Sequence, residues 1–133
     1  MAGELSNAGA DLALNALFRT DTIYLGLATA TIDDETDLST VVEEDDTNYS
    51  RKTISFNAPT NVSGKQTIKN NGAVAFDAWA SNASDPITWA FITTVATLSA
   101  GNIIAYFALP TAKQPAAGET LTIPDQGCTF DIE

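Results

Sequence analysis

The side chains able to do chemistry in this chain are almost all carboxylates. Seventeen Asp and Glu stand against six Lys and Arg, with no histidine and a single cysteine. Lack of histidine removes the commonest general base and metal ligand of neutral pH. Eight of the acids, Asp33, Asp34, Glu35, Asp37, Glu43, Glu44, Asp45 and Asp46, crowd into the stretch 31–47. Asp33, Glu35, Asp37 and Glu44 match positions 1, 3, 5 and 12 of a calcium loop, yet position 6, where glycine is required, holds Leu38, and no helix pair flanks the run. Two carboxylates can also hydrolyse a glycosidic bond, but only at a fixed separation, and nothing here predicts a rigid support. No Gly-x-Ser-x-Gly elbow, phosphate loop or dinucleotide fingerprint occurs. The expectation is a protein without catalysis, cofactor or bound metal. Its acidic run reads as a solvated or partner-facing loop that could be deleted without unfolding the rest.

Around that loop the chain reads as one all-β domain of about eight short strands with one N-terminal helix. Leu5–Phe18 has helical composition, with Ser6 placed to cap it. Leu5, Leu12 and Ala16 fall near one stripe, with Ala10, Leu14 and Leu17 beside it, forming a broad face expected to be buried. Period-two alternation then marks strands at 22–29, around Ile54 and Phe56, at 66–70, 73–76, 87–94, 102–109, 120–123 and 127–132. Gly26 should permit close approach of a neighbouring backbone. Asn71-Gly72 is the strongest tight-hairpin signal, between the strands ending at Asn70 and starting at Ala73. The segment 102–109 is apolar on both faces, as for a central strand or one whose outer face meets another subunit. Two tryptophans, Trp79 and Trp89, suit core or interface packing, with a sugar-stacking platform as the alternative.

Composition bounds partners as well. A net charge of −11 repels phosphate backbones, which argues against nucleic acid. No apolar run has the length of a membrane span, and no signal-peptide pattern opens the chain. One cysteine allows no internal disulfide. Cys128 alternates with Phe130 and Ile132, as a small buried hydrophobe would.

From Leu5 onward the chain resembles a family of small bacteriophage virion proteins, often labelled tail-fibre-like but including capsid cement (decoration) proteins. The resemblance lies in Ala16-Leu-Phe18, Ile23-Tyr-Leu-Gly-Leu27, Tyr49-Ser-Arg51 with Ile54-Ser-Phe56-Asn-Ala58, and Asn71 before Val74-Ala-Phe76. It continues through Ile87-Thr-Trp-Ala-Phe-Ile92, Gly101-Asn-Ile-Ile104, Leu109, Gly118-Glu-Thr-Leu-Thr-Ile123 and Gly127. Tyr49-Ser-Arg51 is its most specific part. Relatives typically carry a shorter, Gly-rich loop where this chain has the acidic one. The resemblance implies a jelly-roll β-sandwich assembled as a homotrimer; jelly-roll topology would require Leu121–Ile132 to pair with Ile23–Leu27. It implies a cement role on the outer surface of the capsid, with the major capsid protein as partner. A tail, baseplate or fibre-associated structural protein is the alternative, and a virion carbohydrate-binding module using Trp79 or Trp89 the second. Residues expected to face partners are Leu12, Phe18, Asp33, Asp34, Glu35, Glu43, Glu44, Arg51, Lys52, Trp79 and Tyr106. Arg51 and Lys52 either hold the acidic loop or reach another subunit.

Overall fold

The computed structural model describes residues 3–132. In chain order the elements are α1 (Asn7–Phe18), β1 (Ile23–Ala28), β2 (Lys52–Ile54), β3 (Thr60–Val62), β4 (Lys65–Lys69), β5 (Val74–Ala75), β6 (Ile87–Thr93), β7 (Ile103–Lys113), β8 (Thr122–Ile123) and β9 (Thr129–Ile132). The fold is all-β with one short helix. The described residues group into two compact units, 3–22 with Ile54–Val74 and 123–132, and Ile23–Thr53 with Ala75–Thr122.

In the first unit, the order β3-β4-β9 makes an antiparallel sheet. The Ser6 hydroxyl accepts the Gly9 N–H at 3.1 Å and starts α1, so the helix begins at Asn7 rather than Leu5. The buried stripe of α1 is Ala10, Leu14 and Phe18, while Leu5, Leu12 and Leu17 stay exposed. This corrects the broad buried face expected from sequence. Apolar residues occupy two stripes of α1, and the aromatic ring decides which one turns inward. Phe18 stacks on Phe130 at 5.0 Å and tilts against Phe56 at 4.8 Å. Such ring pairs add about 0.5–1.5 kcal/mol beyond burial. Phe18 is therefore interior and not a partner-facing residue.

The tight hairpin of this unit joins β3 to β4, not the strands flanking Asn71. Val62 pairs with Lys65, and Ser63 and Gly64 both take positive φ (53° and 87°), as a two-residue primed turn requires. Around Asn71 the chain is instead held by the fully buried Asn70 amide. Its Oδ1 accepts the Cys128 N–H at 2.8 Å, and its Nδ2 donates to the Gly72 and Pro124 carbonyls. That network is worth more to Asn70 than a hairpin ladder, because a buried amide left unpaired costs about 1–3 kcal/mol. Cys128 is buried, and burial pushes its thiol up to about 12.

In the second unit the sheet order is β2-β1-β6-β7. β1 and β6 are the central strands, with Ala90, Phe91 and Ile92 of β6 fully buried, whereas β7 lies at the edge. Of the two readings of 102–109, the central strand is thus corrected. The reason is visible in its burial: most of β7 is only partly covered, despite its apolar sequence. β1 pairs with β6, and β9 pairs with β4, so the C-terminal strand does not join Ile23–Leu27 as the jelly-roll expectation had it. β5 and β8 form a short ladder of their own.

Gly26 stands opposite Phe91 in the β1–β6 register. A Cβ built there would lie 2.2 Å from the Phe91 ring, so the glycine admits an aromatic ring rather than a backbone. Gly26→Ala must displace Phe91 and should destabilise the protein by about 1–3 kcal/mol in urea unfolding. Gly3→Ala, whose Cβ would meet nothing within 4 Å, should leave the midpoint unchanged.

Candidate functional site

The residues that the sequence singles out as most specific, Tyr49 and Arg51, converge with Glu43 from the acidic run. Arg51 Nε and Nη2 donate to Glu43 Oε2 at 2.9 Å and Oε1 at 2.8 Å, a two-pronged carboxylate grip. Arg51 Nη1 donates to the Val95 and Leu98 carbonyls at 2.8 and 3.0 Å. The guanidinium also lies 5.6 Å from the centroid of the Phe91 ring. The Tyr49 hydroxyl donates to Glu43 Oε2 at 2.6 Å and accepts the Leu27 N–H at 2.9 Å. Its ring stacks on Phe76 at 5.9 Å. Burial, and then the Glu43 charge, push the Tyr49 hydroxyl far above its ordinary value, so it remains a donor. The Glu43 hydrogen bonds raise the already high value of Arg51.

Arg51 thus holds the acidic loop within its own chain. Lys52 pairs instead with Asp77, outside that loop, at 3.1 Å in a largely exposed contact. The loop is far from unsupported. Glu43 bridges to Ala28, and Glu44 N–H donates to the Leu27 carbonyl at 3.0 Å. Ile32 and Leu38 are buried with Ala28 and Phe91. The expectation that residues 33–46 could be removed without unfolding the protein is therefore corrected, because the segment carries core side chains and the partner of a largely buried arginine.

Half of the eight acids in the run are spent on the backbone. Asp33 Oδ1 accepts from the Glu35 N–H and the Thr36 hydroxyl, and Asp37 Oδ1 from the Ser39 and Thr40 N–H groups. Asp46 holds Asn48, Ala80 and Ser81 through their N–H groups. Glu44 is buried, with Oε1 accepting from the Asp45 and Asp46 N–H groups. Its Oε2 and Trp79 Nε1 are buried polar atoms without a hydrogen-bond partner among the described residues. Leu38, at the position where a calcium loop needs glycine, faces the core. Among the described residues no three His, Cys, Asp or Glu are arranged to hold a metal ion.

The sequence-derived partner residues therefore scatter. Asp33, Asp34 and Glu35 are exposed, and the Tyr106 hydroxyl donates to Asp34 Oδ1. That bond raises the Tyr106 hydroxyl above its ordinary value. Leu12 is 73% exposed on α1. Glu43, Glu44, Arg51 and Lys52 are engaged within the chain. Trp79 is buried, so it offers no face to a sugar; Trp89 is half-buried against Tyr106 at 5.9 Å. What sequence reasoning missed was Val95 and Leu98, which grip Arg51 through backbone carbonyls and so leave no side-chain signal. A depression of about 280 Å³ beside the grip is lined by Glu43–Asp46, Arg51, Ala96 and Thr97.

Arg51→Ala leaves Glu43 without its counter-charge and should cost about 3 kcal/mol by urea unfolding, whereas Lys52→Ala should cost under about 1 kcal/mol. Hydrogen bonds hold two carboxyls below their ordinary 3.8, Asp37 chiefly through Ser39 and Asp46 chiefly through Ala80. A depressed carboxyl stabilises the fold above its unfolded value, and that stability is lost as pH falls. The melting temperature should therefore decline as pH drops below about 4. In Asp46→Asn the decline should be shallower, with a lower starting value at pH 7.

No curated protein and no solved structure matches the chain. A family model described as podophage GP4 fiber I protein gp80 matches residues 4–131. That span takes in α1, the whole acidic run, the Tyr49–Arg51 grip and all nine strands apart from the last residue of β9. The chain belongs to this gp80 family and is a structural protein of a phage virion.

Proposed function

We propose that the protein is a fibre-associated structural component of the virion that works by contact and not by catalysis. One observation carries this reading: the family whose model spans residues 4–131 is described as a fibre protein. It moves the fibre alternative ahead of the cement role that the resemblance put first. Several features of the molecule agree with a scaffold role. Several carboxylates of the described chain are spent on turns and two ion pairs, and its most specific motif fastens a loop instead of exposing a nucleophile. A rigid β framework displaying a pinned loop suits a protein whose work is surface burial.

On this reading the partners are other virion proteins, with neither nucleic acid nor membrane among them. The major capsid protein and the capsid outer surface belong to the cement alternative, whereas the homotrimer that the resemblance implies goes with either role. The two separate by location and copy number. Particles disrupted into tail and head fractions should carry the protein with the tail and fibres, at a few to dozens of copies per particle by quantitative mass spectrometry. Hundreds of copies, retained on tailless heads, would reject the fibre role in favour of cement.

A further inference from the structure

We propose that the outward face of α1 is a self-association surface, on which α1 of a second copy of this chain lies antiparallel across a two-fold axis. Three of the six large apolar residues exposed among the described residues, Leu5, Leu12 and Leu17, lie on α1 or just before it. Leu12, the most exposed of them, stands two residues from Ala10 and two from Leu14, so it points away from the buried stripe. Gly9, Leu12 and Ala16 follow one another at helical spacing along that outward side. Leu5 joins them, because its Cδ2 lies 3.6 Å from where a Cβ of Gly9 would be. Large and small residues thus alternate down the face as Leu5, Gly9, Leu12 and Ala16. An antiparallel copy of the same face sets Leu12 over Gly9 of the second copy and Leu5 over its Ala16, and the reverse. Each leucine then meets a position with little or no side chain.

Charge selects the occupant and its direction. Between Leu5 and Phe18 the only charged residue is Asp11, whose carboxylate accepts the Gln66 amide of β4. Exposed charges of opposite sign stand at the two ends, Glu4 before the helix and Arg19 after it. Neither is in an ion pair among the described residues, and Arg19 reaches Asn15 Oδ1 at 2.6 Å. Asp21, the next charge along, lies beyond the helix in the bend that leads to β1. Antiparallel packing brings each Glu4 to the Arg19 of the other copy, whereas parallel helices about a three-fold axis would set like charge beside like. The unit that carries α1 also repels a second copy far less than the whole chain would. Its described residues hold Arg19, Lys65 and Lys69 against five acids, a net −2 where the chain carries −11. Because the face is complementary to itself, one surface suffices for a closed pair. The pairing gives two copies where the resemblance implies three, and it stands whether or not the fibre role does.

One pair of twelve-residue helices buries less than a standard interface, so the affinity should be micromolar or weaker. Sedimentation equilibrium on the purified full chain, from about 1 µM to about 1 mM, should move from the chain mass of 14.0 kDa toward twice that value. Leu12→Glu keeps a good helix former at an exposed position but sets a charge in the contact. It should raise the dissociation constant about tenfold or more and leave thermal unfolding of the dilute protein unchanged. Glu4→Arg alone opposes like charges at both ends and should weaken the dimer about threefold. Combining it with Arg19→Glu exchanges the two members of each pair and should recover the parent affinity. A single-chain mass at every concentration, a three-chain mass, a dimer untouched by Leu12→Glu, or a double variant no tighter than Glu4→Arg would each overturn the proposal.

Discussion

The ion pair between Arg51 and Glu43 is the constraint on which the second unit depends. The Arg51 side chain is only 4% exposed, so its charge must be matched in place. It is matched from three directions at once: a carboxylate in the acidic run, two carbonyls in the β6–β7 connection, and the face of the Phe91 ring. Phe91 can lie where it does because Gly26 has no side chain. Tyr49 closes the circuit by joining Glu43 to the backbone of β1. Remove any one member and the others are left with buried polar groups that nothing else satisfies.

The same circuit explains how a run of eight acids can belong to a folded body. Like charges in a loop repel, and left to themselves they would keep it extended. Here one acid is neutralised by Arg51, while Asp33, Asp37, Glu44 and Asp46 accept backbone N–H groups that the turns would otherwise leave to water. Ile32 and Leu38 anchor the middle of the run in the core. The outcome is a rigid acidic surface on a sheet, displayed by a structural protein of a phage particle.

Strands at Ile23–Ala28 and Ile87–Thr93 were legible because period-two alternation is a local property of the chain. So were the helix and its Ser6 cap, since capping uses a residue next to the helix it starts. Asn71-Gly72 misled for a physical reason: its turn preference is local, but the buried Asn70 amide beside it is satisfied by Cys128, Gly72 and Pro124, two of which lie more than fifty residues away in sequence. Ser63-Gly64 carries a hairpin signal with no alternation beside it, because β3 is short, mostly polar and exposed along its length.

What the sequence by itself determined is the class of molecule. Missing histidine, crowded acids and short alternating segments specify an acidic all-β protein with one helix, and motifs spread over most of its length place it among phage virion proteins. Only the tertiary structure decided which stripe of α1 is buried, that β6 and not β7 is central, and that Arg51 holds Glu43 within the chain. Composition and periodicity are sums over neighbours along the chain. Edge position, helix rotation and the choice of a salt-bridge partner depend on which distant residues meet, and no local pattern encodes that.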